Sequence, residues 1–243
     1  MAEAHRTIVA VDIERFSDPS RNSVALTRRR AGMYDVLDRA FTDAEIEFDQ
    51  CTVEDRGDGA LILVPPRFSR VRLVNSLPDR LTDALRRYNS TAPEESGLRL
   101  RVALHVGEVR QDDFGVVGLA VVDASRLVSS PQLKQEVRSA GEPIGLIVSD
   151  LFYRSVIANA PETDPDSYRM VHVRAKETDL TAWLRRPSSR LRAREIARSI
   201  AARSNTLPVA IYVSDSTVFR EVETAVETLL AAAGLESDGD GHD

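Results

Sequence analysis

The residues of this chain best suited to binding a metal ion are two aspartates, one at the end of a short apolar segment and one just before another. Asp12 closes the apolar run that begins at Val9, and Asp58 lies in a Gly-Asp-Gly turn just before the apolar residues 60–64. Short apolar runs bounded by turn residues predict buried strands. If the strands are neighbours, the carboxylates meet at one end of a sheet, where such oxygen ligands suit Mg²⁺ or Mn²⁺ carrying a polyphosphate. The alternative is that both are turn residues capping strand ends.

Further along the chain, an alternating segment is followed by a short predicted helix. Residues 98–109 alternate as a strand does and include Arg101 and His105, and residues 119–129 predict a helix that carries Arg126. We interpret His105 as a packed or hydrogen-bonded strand residue and not as a metal ligand.

Together these segments resemble the class III nucleotidyl cyclases, from about residue 6 to residue 186. The first-metal motif of that family is matched by Asp12, Ile13, Phe16 and Ser17, and its second-metal Gly-Asp turn by Asp58. Its later motifs are matched by Arg101, His105, Gly107 and Val109 on the strand and by Val121, Ala124, Arg126 and Leu127 on the helix.

The resemblance implies an enzyme that converts a nucleoside triphosphate to a 3′,5′-cyclic monophosphate and pyrophosphate, with two Mn²⁺ or Mg²⁺ ions per site. The implied metal ligands are Asp12, Asp58 and the backbone carbonyl of Ile13. The implied phosphate cradle consists of the backbone N–H groups of Glu14, Arg15, Phe16 and Ser17.

Two cations have implied catalytic roles. Arg126 would stabilise charge on the transferring phosphate, and Lys176 would contact the phosphates. The alternatives are an ion-pair partner on a helix surface for Arg126 and an ordinary loop lysine for Lys176. In this family the site forms between two head-to-tail subunits, so a chain with one such domain is expected to act as a homodimer.

Three departures from the family pattern bear on the substrate. Val122 stands where an asparagine orients the ribose, and Arg15 stands where glycine is common. Glu54 replaces the lysine that reads a purine base, and the partner of that lysine aligns near Gly115.

Two interpretations of these departures stay open. Bacterial pyrimidine cyclases of antiphage (Pycsar-type) signalling keep the metal aspartates and lose the purine-reading pair. That likeness implies UTP, favoured over CTP, and a second-messenger role in antiviral defence. The alternative is a catalytically inactive cyclase-fold domain that binds a nucleotide or a protein partner as a sensor or scaffold.

The order of predicted elements indicates an α+β fold, with helices packed on a mixed sheet. The resembled family has this architecture, built around a ferredoxin-like core. The predicted strands span 7–12, 48–54, 59–64, 98–109 and 144–149, with a closing hairpin of 168–173 and 181–184. The predicted helices span 22–44, 71–89, 119–129 and 150–157. Residues 134–136 are interpreted as an extension of the third helix after a break at Pro131, and residues 111–115 as an exposed turn.

Composition narrows the function classes. The 243 residues are 42% hydrophobic and 29% charged, and the net charge of −6 disfavours nucleic-acid binding. The single cysteine, Cys51, excludes an internal disulfide and a multi-cysteine zinc site. No apolar run reaches the roughly 20 residues that span a bilayer, and the first residues lack an apolar signal region. We therefore expect a cytoplasmic protein without membrane contact.

The domain organisation changes after residue 186. Residues 1–186 form the predicted cyclase-like domain, 187–206 a basic linker helix, 207–235 a strand-helix appendage and 236–243 an acidic tail that we expect to be disordered. One strand and one helix cannot bury a core of their own. The appendage is therefore expected to dock on the main domain, on a second copy or on a protein partner.

Overall fold

The computed structural model describes residues 3–139, 142–175 and 178–185. All of them belong to the first of two compact units into which the chain divides, Met1–Ser188. Lys176 lies outside the described residues, as do the predicted linker helix, appendage and acidic tail.

The sequence predicts a mixed sheet of seven strands without Gly115–Val117, whereas the described residues form one mixed sheet of eight strands. They are β1 (Glu3–Ile13), β2 (Thr52–Asp55), β3 (Gly59–Val64), β4 (Leu100–Asp112), β5 (Gly115–Val117), β6 (Ile144–Ser149), β7 (Tyr168–Ala175) and β8 (Thr178–Arg185). The order across the sheet is β2-β3-β1-β4-β6-β8-β7, with β5 paired to the end of β4. β4 and β6 run parallel, whereas the other neighbours are antiparallel.

Within the described ranges, five helices cover the two faces of the sheet. They are α1 (Ser23–Asp43), α2 (Arg70–Thr91), α3 (Leu119–Val128), α4 (Pro131–Ser139) and α5 (Asp150–Phe152), which continues as a π-helical turn over Tyr153–Ile157. On one face, alternate residues of β1 such as Val9 and Val11 pack with Leu37 of α1 and Leu77 of α2. On the other face, Ile8 and Ala10 pack with Ala124 and Leu127 of α3. β1 is buried on both faces, which explains its unbroken apolar run.

The first helix starts at a side-chain cap. The side-chain oxygen of Asn22 accepts a hydrogen bond from the Ala25 N–H at 2.9 Å. Such a cap satisfies a helix N–H that would otherwise lack a partner. It fixes the point where the chain leaves the loop that follows β1, and so limits the span of that loop.

Two strand predictions differ from the structure. Residues 48–50 form a 3-10 turn, Phe48–Gln50, and the strand begins only at Thr52. The Phe48 ring packs on Phe41 with centroids 5.2 Å apart, so its apolar character serves the core and not a strand. The predicted exposed turn of 111–115 includes parts of two strands, because the three-residue β5 is too short to show a period.

Two helix predictions also differ in detail. Residues 131–139 form a separate helix that starts with Pro131, whose fixed φ suits a first helical turn, and do not extend α3. The predicted helix of 150–157 is α-helical only over Asp150–Phe152. Among the residues that the structure describes, no helix combines the length and apolar character needed to cross a membrane.

Candidate functional site

Asp12 and Asp58 lie at the same corner of the sheet. Asp12, the second-last residue of β1, pairs with Gly59, the first residue of β3. The turn that holds Asp58 therefore sits beside Asp12, and the Ile13 N–H donates to the Asp58 carbonyl at 2.8 Å. Asp58 is exposed, whereas the Asp12 side chain is 16% exposed. The structure thus brings together the two aspartates that the sequence pattern pairs.

Glycine at two turn positions permits this approach. A Cβ added to Gly59 would lie 2.1 Å from the Val11 carbonyl oxygen and 3.1 Å from the Asp12 Cα. Only a residue without a side chain fits so close to the β1 backbone. Gly57 has φ of 81°, in the left-handed region that favours glycine. The Gly-Asp-Gly sequence therefore sets Asp58 against the end of β1.

A buried arginine from β4 binds the acidic groups at this corner. Arg101 stands opposite Asp12 in the β1–β4 ladder and is 6% exposed. Its guanidinium donates to the carboxylates of both Asp12 and Glu14. Arg138 of α4 donates from Nε to Glu14 Oε1 at 3.0 Å. Sequence reasoning missed this ion-pair cluster, although a cation among the buried residues of a central strand signals buried anions nearby.

The ionisation of Asp12 reflects burial and its neighbours. Loss of hydration is the largest cause and raises the pKa of Asp12 above its ordinary value, and the nearby charge of Asp58 acts in the same direction. The hydrogen bond and charge of Arg101 and the charge of Lys134 oppose this effect. Two neighbouring carboxylates are mutually repulsive, and a divalent cation relieves that repulsion.

The donor set at this corner fits a hard divalent cation with few protein ligands. Among the described residues, no group of three or more His, Cys, Asp or Glu side chains is placed to hold a metal. The candidates are the carboxylates of Asp12 and Asp58 and the carbonyl of Ile13, all of them oxygen. Mg²⁺ commonly binds in this way, with water and substrate phosphates completing its shell. A cation here would compete with Arg101 for Asp12.

The loop after β1 is partly committed to internal hydrogen bonds. The N–H groups of Glu14 and Phe16 each donate to a backbone carbonyl, at 2.9 and 3.3 Å. The predicted phosphate cradle therefore rests on the N–H groups of Arg15 and Ser17. Arg15 has φ of 53° and donates from its side chain to Asp18 at 2.6 Å.

Glu54 lies against the β4–β5 hairpin. Its carboxylate accepts the Val116 N–H and, at 2.7 Å, a guanidinium N–H of Arg56. A Cβ added to Gly115 would lie 2.6 Å from Glu54 Oε1. The two positions that the family resemblance assigns to base reading are therefore neighbours in space, and they hold a carboxylate and a glycine.

Arg126 lies in the last turn of α3, which packs against β4 and β1. The arginine is half-buried and interacts with neighbouring groups. Val122, at the position of the family asparagine, is exposed one turn earlier. Lys176, the second predicted cation, lies outside the described residues.

Exposed apolar side chains surround the start of α3. Phe114 is fully exposed and Leu119 is 84% exposed, with Val117 and Val122 also exposed. We call these four residues the α3 patch. The four residues lie within nine positions of the sequence, and a cluster of exposed apolar side chains is a candidate interaction site.

Solved structures of cyclases share this fold. An adenylate/guanylate cyclase/hydrolase from Silicibacter pomeroyi matches with a TM-score of 0.51 at 16% identity, over 78% of this chain and 100% of that chain. A bacterial light-regulated adenylyl cyclase matches with a TM-score of 0.54 at 11% identity, over 82% of this chain and 58% of that chain. The adenylyl cyclase CyaB from P. aeruginosa matches with a TM-score of 0.50 at 12% identity, over 78% and 98%.

Sequence comparison adds one relative of a different kind. The serine/threonine-protein kinase pkn2 of Myxococcus xanthus is 31% identical over 126 residues, which are 51% of this chain. The chain spans only 14% of the length of that kinase, so the match does not carry kinase activity over. No family model matches the chain. What the structural likeness shows, at these identities, is that the chain has the α+β fold of adenylate and guanylate cyclase domains.

Proposed function

We propose that the protein is a nucleotidyl cyclase that converts a nucleoside triphosphate to a 3′,5′-cyclic monophosphate and pyrophosphate. The observation that carries the proposal is the meeting of Asp12 and Asp58 at one corner of a cyclase-like sheet. In the reaction the ribose 3′-oxygen bonds to the α-phosphorus, and the bond from that phosphorus to the β-phosphate oxygen breaks. Pyrophosphate leaves, and the 3′-hydroxyl proton is released.

Asp12, Asp58 and the Ile13 carbonyl would hold two Mn²⁺ or Mg²⁺ ions. When bound, such ions neutralise the triphosphate and acidify the ribose 3′-hydroxyl. The chain would contribute the closeness of the two aspartates, which the register of β1 and β3 and the tight approach of Gly59 to β1 support. Arg101 orients Asp12 through their ion pair.

Cationic and N–H groups would then bind the phosphates. Arg126 would stabilise the charge that develops on the transferring phosphate, because a planar guanidinium matches phosphate oxygens in two-point hydrogen bonding. Lys176 would contact the phosphates as a point charge. The N–H groups of Arg15 and Ser17 would support the phosphate chain from the loop after β1.

The substrate we propose is UTP, favoured over CTP, with cUMP as the product. Glu54 places a hydrogen-bond acceptor where purine cyclases carry a lysine donor, and the position of that lysine's partner is taken by Gly115, which has no side chain to read a base. This arrangement supports a base other than a purine. The likeness to antiphage pyrimidine cyclases extends the proposal to second-messenger synthesis in antiviral defence.

The active form would be a head-to-tail homodimer. Metal carboxylates from one copy and Arg126 from the other would complete each site. The α3 patch supports this arrangement, because Leu119 and Val122 lie on the same helix as Arg126, Phe114 and Val117 lie just before it, and all four are exposed in one chain. A protein partner for residues 207–235 remains a separate prediction from the sequence.

A non-catalytic sensor or scaffold is the second candidate. Two observations favour it: Arg101 binds the Asp12 carboxylate that an ion would need, and Val122 replaces the ribose-orienting asparagine. A domain of this kind would bind a nucleotide or a protein without turning it over.

The two candidates differ in one measurement. The full-length protein is incubated with each of the four ribonucleoside triphosphates and Mn²⁺ or Mg²⁺, and cyclic products are identified by mass spectrometry. The proposal predicts product from UTP, and less from CTP, that disappears in Asp58→Ala and persists in Asp49→Ala. Asp49 is the matched control because it is an exposed acidic residue on the turn before β2.

Folding and assembly must be established for the same samples. A folded dimer that forms no cyclic product from any of the four nucleotides supports the scaffold candidate. A protein that stays monomeric at micromolar concentration argues against catalysis, because one chain would supply only half of each site.

A further inference from the structure

A cavity rich in arginine lies beside the loop that follows β1. Its volume is about 720 Å³, and Glu14 and Gly97 form part of its wall. The remaining lining residues are Arg15, Arg21, Arg29, Arg99 and Arg138. Asp12, Asp58 and Arg126 are not among its lining residues, although Glu14 and Arg138 connect the cavity through Arg101 to the corner that holds Asp12.

Arg29 is the central observation. This residue of α1 is only 2% exposed. Its two terminal nitrogens donate to the backbone carbonyls of Gly97 and Glu14, whereas its Nε is buried without a hydrogen-bond partner among the described residues. Carbonyl groups satisfy donors but do not neutralise a full charge. A buried cation with an unpaired donor at a cavity wall indicates that an anion belongs there.

Two neighbouring arginines, Arg99 and Arg21, also donate to uncharged backbone carbonyls. Arg99 donates to the backbone carbonyl of Glu142 at 3.1 Å. Arg21 donates to the carbonyls of Arg15 and Glu95, and its guanidinium lies 3.8 Å from the carboxylate of Asp18.

The acidic groups nearby do not cancel that excess. Glu14 is the one acidic residue of the cavity lining, and it already accepts from Arg101 and Arg138. Burial lowers the pKa of Arg29 to about 10, and the charge of Arg21 adds to this effect. Five arginines therefore line the cavity, and the two carboxylates paired with them, Glu14 and Asp18, are too few to balance their charge.

We propose that this cavity binds a phosphate-chain anion of the size of pyrophosphate or tripolyphosphate. Guanidinium groups match phosphate oxygens with paired, charge-assisted hydrogen bonds. Several arginines around one cavity suit an anion with more than one phosphate. The anion is either free in solution or the phosphate tail of a nucleotide, and both sources present the same chemistry to the pocket.

The site is independent of the proposed cyclisation because it uses neither the two aspartates nor a metal. Arg15 and Glu14 nevertheless belong both to its wall and to the loop after β1. An anion bound in the cavity would therefore contact the loop whose N–H groups are proposed to bind substrate.

The test measures binding without catalysis. The full-length protein is titrated calorimetrically with pyrophosphate in EDTA, at constant ionic strength, and its melting temperature is followed in parallel. We expect saturable binding that weakens at least about tenfold in Arg99→Gln, since a charge-assisted phosphate contact is lost. Arg28→Gln is the matched control, because Arg28 is an exposed arginine on α1 outside the lining.

Further variants separate the explanations. Arg29→Lys should also weaken binding, and Arg99→Gln remains informative if Arg29→Lys does not fold, because Arg99 is only half-buried. Asp58→Ala should retain metal-free binding. The proposal is overturned if the wild type shows no saturable binding at millimolar pyrophosphate, if Arg28→Gln weakens binding as much as Arg99→Gln, or if Asp58→Ala abolishes it.

Competition identifies the source of the anion. Tighter metal-free binding of UTP than of pyrophosphate at the same arginines assigns the pocket to a nucleotide tail. Tighter binding of pyrophosphate or tripolyphosphate assigns it to a free anion. Either result supports the pocket, and neither depends on whether a cyclic nucleotide is made.

Discussion

At the scale of single residues, the ion pairs around Arg101 determine the charge of the carboxylates at the proposed metal-binding corner. Arg101 lies between the carboxylates of Asp12 and Glu14, and Arg138 holds the other oxygen of Glu14. Burying a charge costs free energy unless partners compensate for the lost hydration. The raised pKa of Asp12 shows that its partners compensate only in part. The ionised form of Asp12 therefore costs stability that the protonated form would not.

Asp12→Asn should stabilise the metal-free protein while removing activity. The folded-state pKa of Asp12 lies above its unfolded value, so the folded form favours the protonated acid. That preference is fully present below the unfolded pKa and is lost as pH rises through the folded pKa, so ionised Asp12 costs stability at pH 7. We expect a higher melting temperature in EDTA and a loss of cyclase activity of at least about 100-fold. A lower melting temperature in Asp12→Asn would show that the Arg101 pair outweighs burial.

His105 should make stability depend on pH in the opposite direction to Asp12, with stability lost as pH falls. Burial lowers the pKa of His105 below its ordinary value; the charge of Asp123 opposes this and that of His5 adds to it. The unfolded chain therefore takes up the proton first as pH falls below about 6.5. The unfolding free energy should then fall by up to about 1.4 kcal/mol per pH unit until the folded pKa is reached.

The measurement is urea unfolding of the wild type and His105→Gln between pH 5 and 8. As pH falls, the unfolding free energy of the wild type should decrease relative to that of His105→Gln. Parallel pH profiles for the two proteins would exclude His105 as the source.

At the scale of elements, the β2–β3 hairpin is the part that positions the chemistry. Asp55 at the end of β2 accepts from the Gly57 N–H at 2.7 Å and from the Tyr34 hydroxyl of α1 at 2.6 Å. The hairpin is thereby tied to α1 on one side, while Gly59 presses it against β1 on the other. Asp58 is carried on a turn that is exposed but held at both ends.

Gly59→Ala should harm both fold and activity more than Gly57→Ala. At Gly59 a methyl group would meet a backbone oxygen at 2.1 Å, so the strands must separate, at a cost of about 2–3 kcal/mol. At Gly57 nothing lies within 4 Å of an added Cβ, and the cost is the left-handed conformation alone, about 1–2 kcal/mol. Chemical unfolding and cyclase assays of both variants check this. Equal losses in the two would mean that the contact with β1 does not set Asp58.

Much of the fold follows from local pattern, and the site follows only in part. The apolar runs of β1, β3 and β6 are buried on both faces, so their composition alone predicts them. The Gly-Asp-Gly turn leads directly into β3, so the sequence also predicts that Asp58 lies beside Asp12 if β3 pairs with β1. β5 has only three residues and α4 starts at a proline, so no hydrophobic period in the sequence reveals where either element begins and ends.

Contacts between distant segments lie beyond sequence reasoning. Arg29 and Gly97 are 68 positions apart and meet because α1 packs near the start of β4. The binding of Glu14 by Arg101 and Arg138 likewise depends on the packing of α4 against the sheet. Arg101 is the one member of this ion-pair cluster with a local signal, because it lies within an apolar strand, whereas Glu14 and Arg138 resemble ordinary surface charges in the sequence.

At the scale of the whole molecule, the open question is whether one chain or two build a site. The α3 patch exposes Phe114 and Leu119 on the elements next to Arg126. A two-fold arrangement would bury this patch and bring Arg126 of each copy towards the aspartates of the other. Activity should then require both faces to be intact, but not in the same chain.

Mixing two inactive variants tests this directly. Asp58→Ala keeps Arg126, and Arg126→Ala keeps Asp58, so a heterodimer has one intact site and one site with both defects. Random exchange at equal amounts makes half of the dimers mixed, so activity should return to about a quarter of the wild-type level. A mixture of Asp12→Ala and Asp58→Ala is the matched control and should stay inactive, because every site then lacks a carboxylate. Adding Leu119→Ser to both chains should reduce the recovery by weakening the dimer. If the first mixture stays inactive although exchange is demonstrated by mass spectrometry, the aspartates and Arg126 act within one chain and the head-to-tail site is refuted.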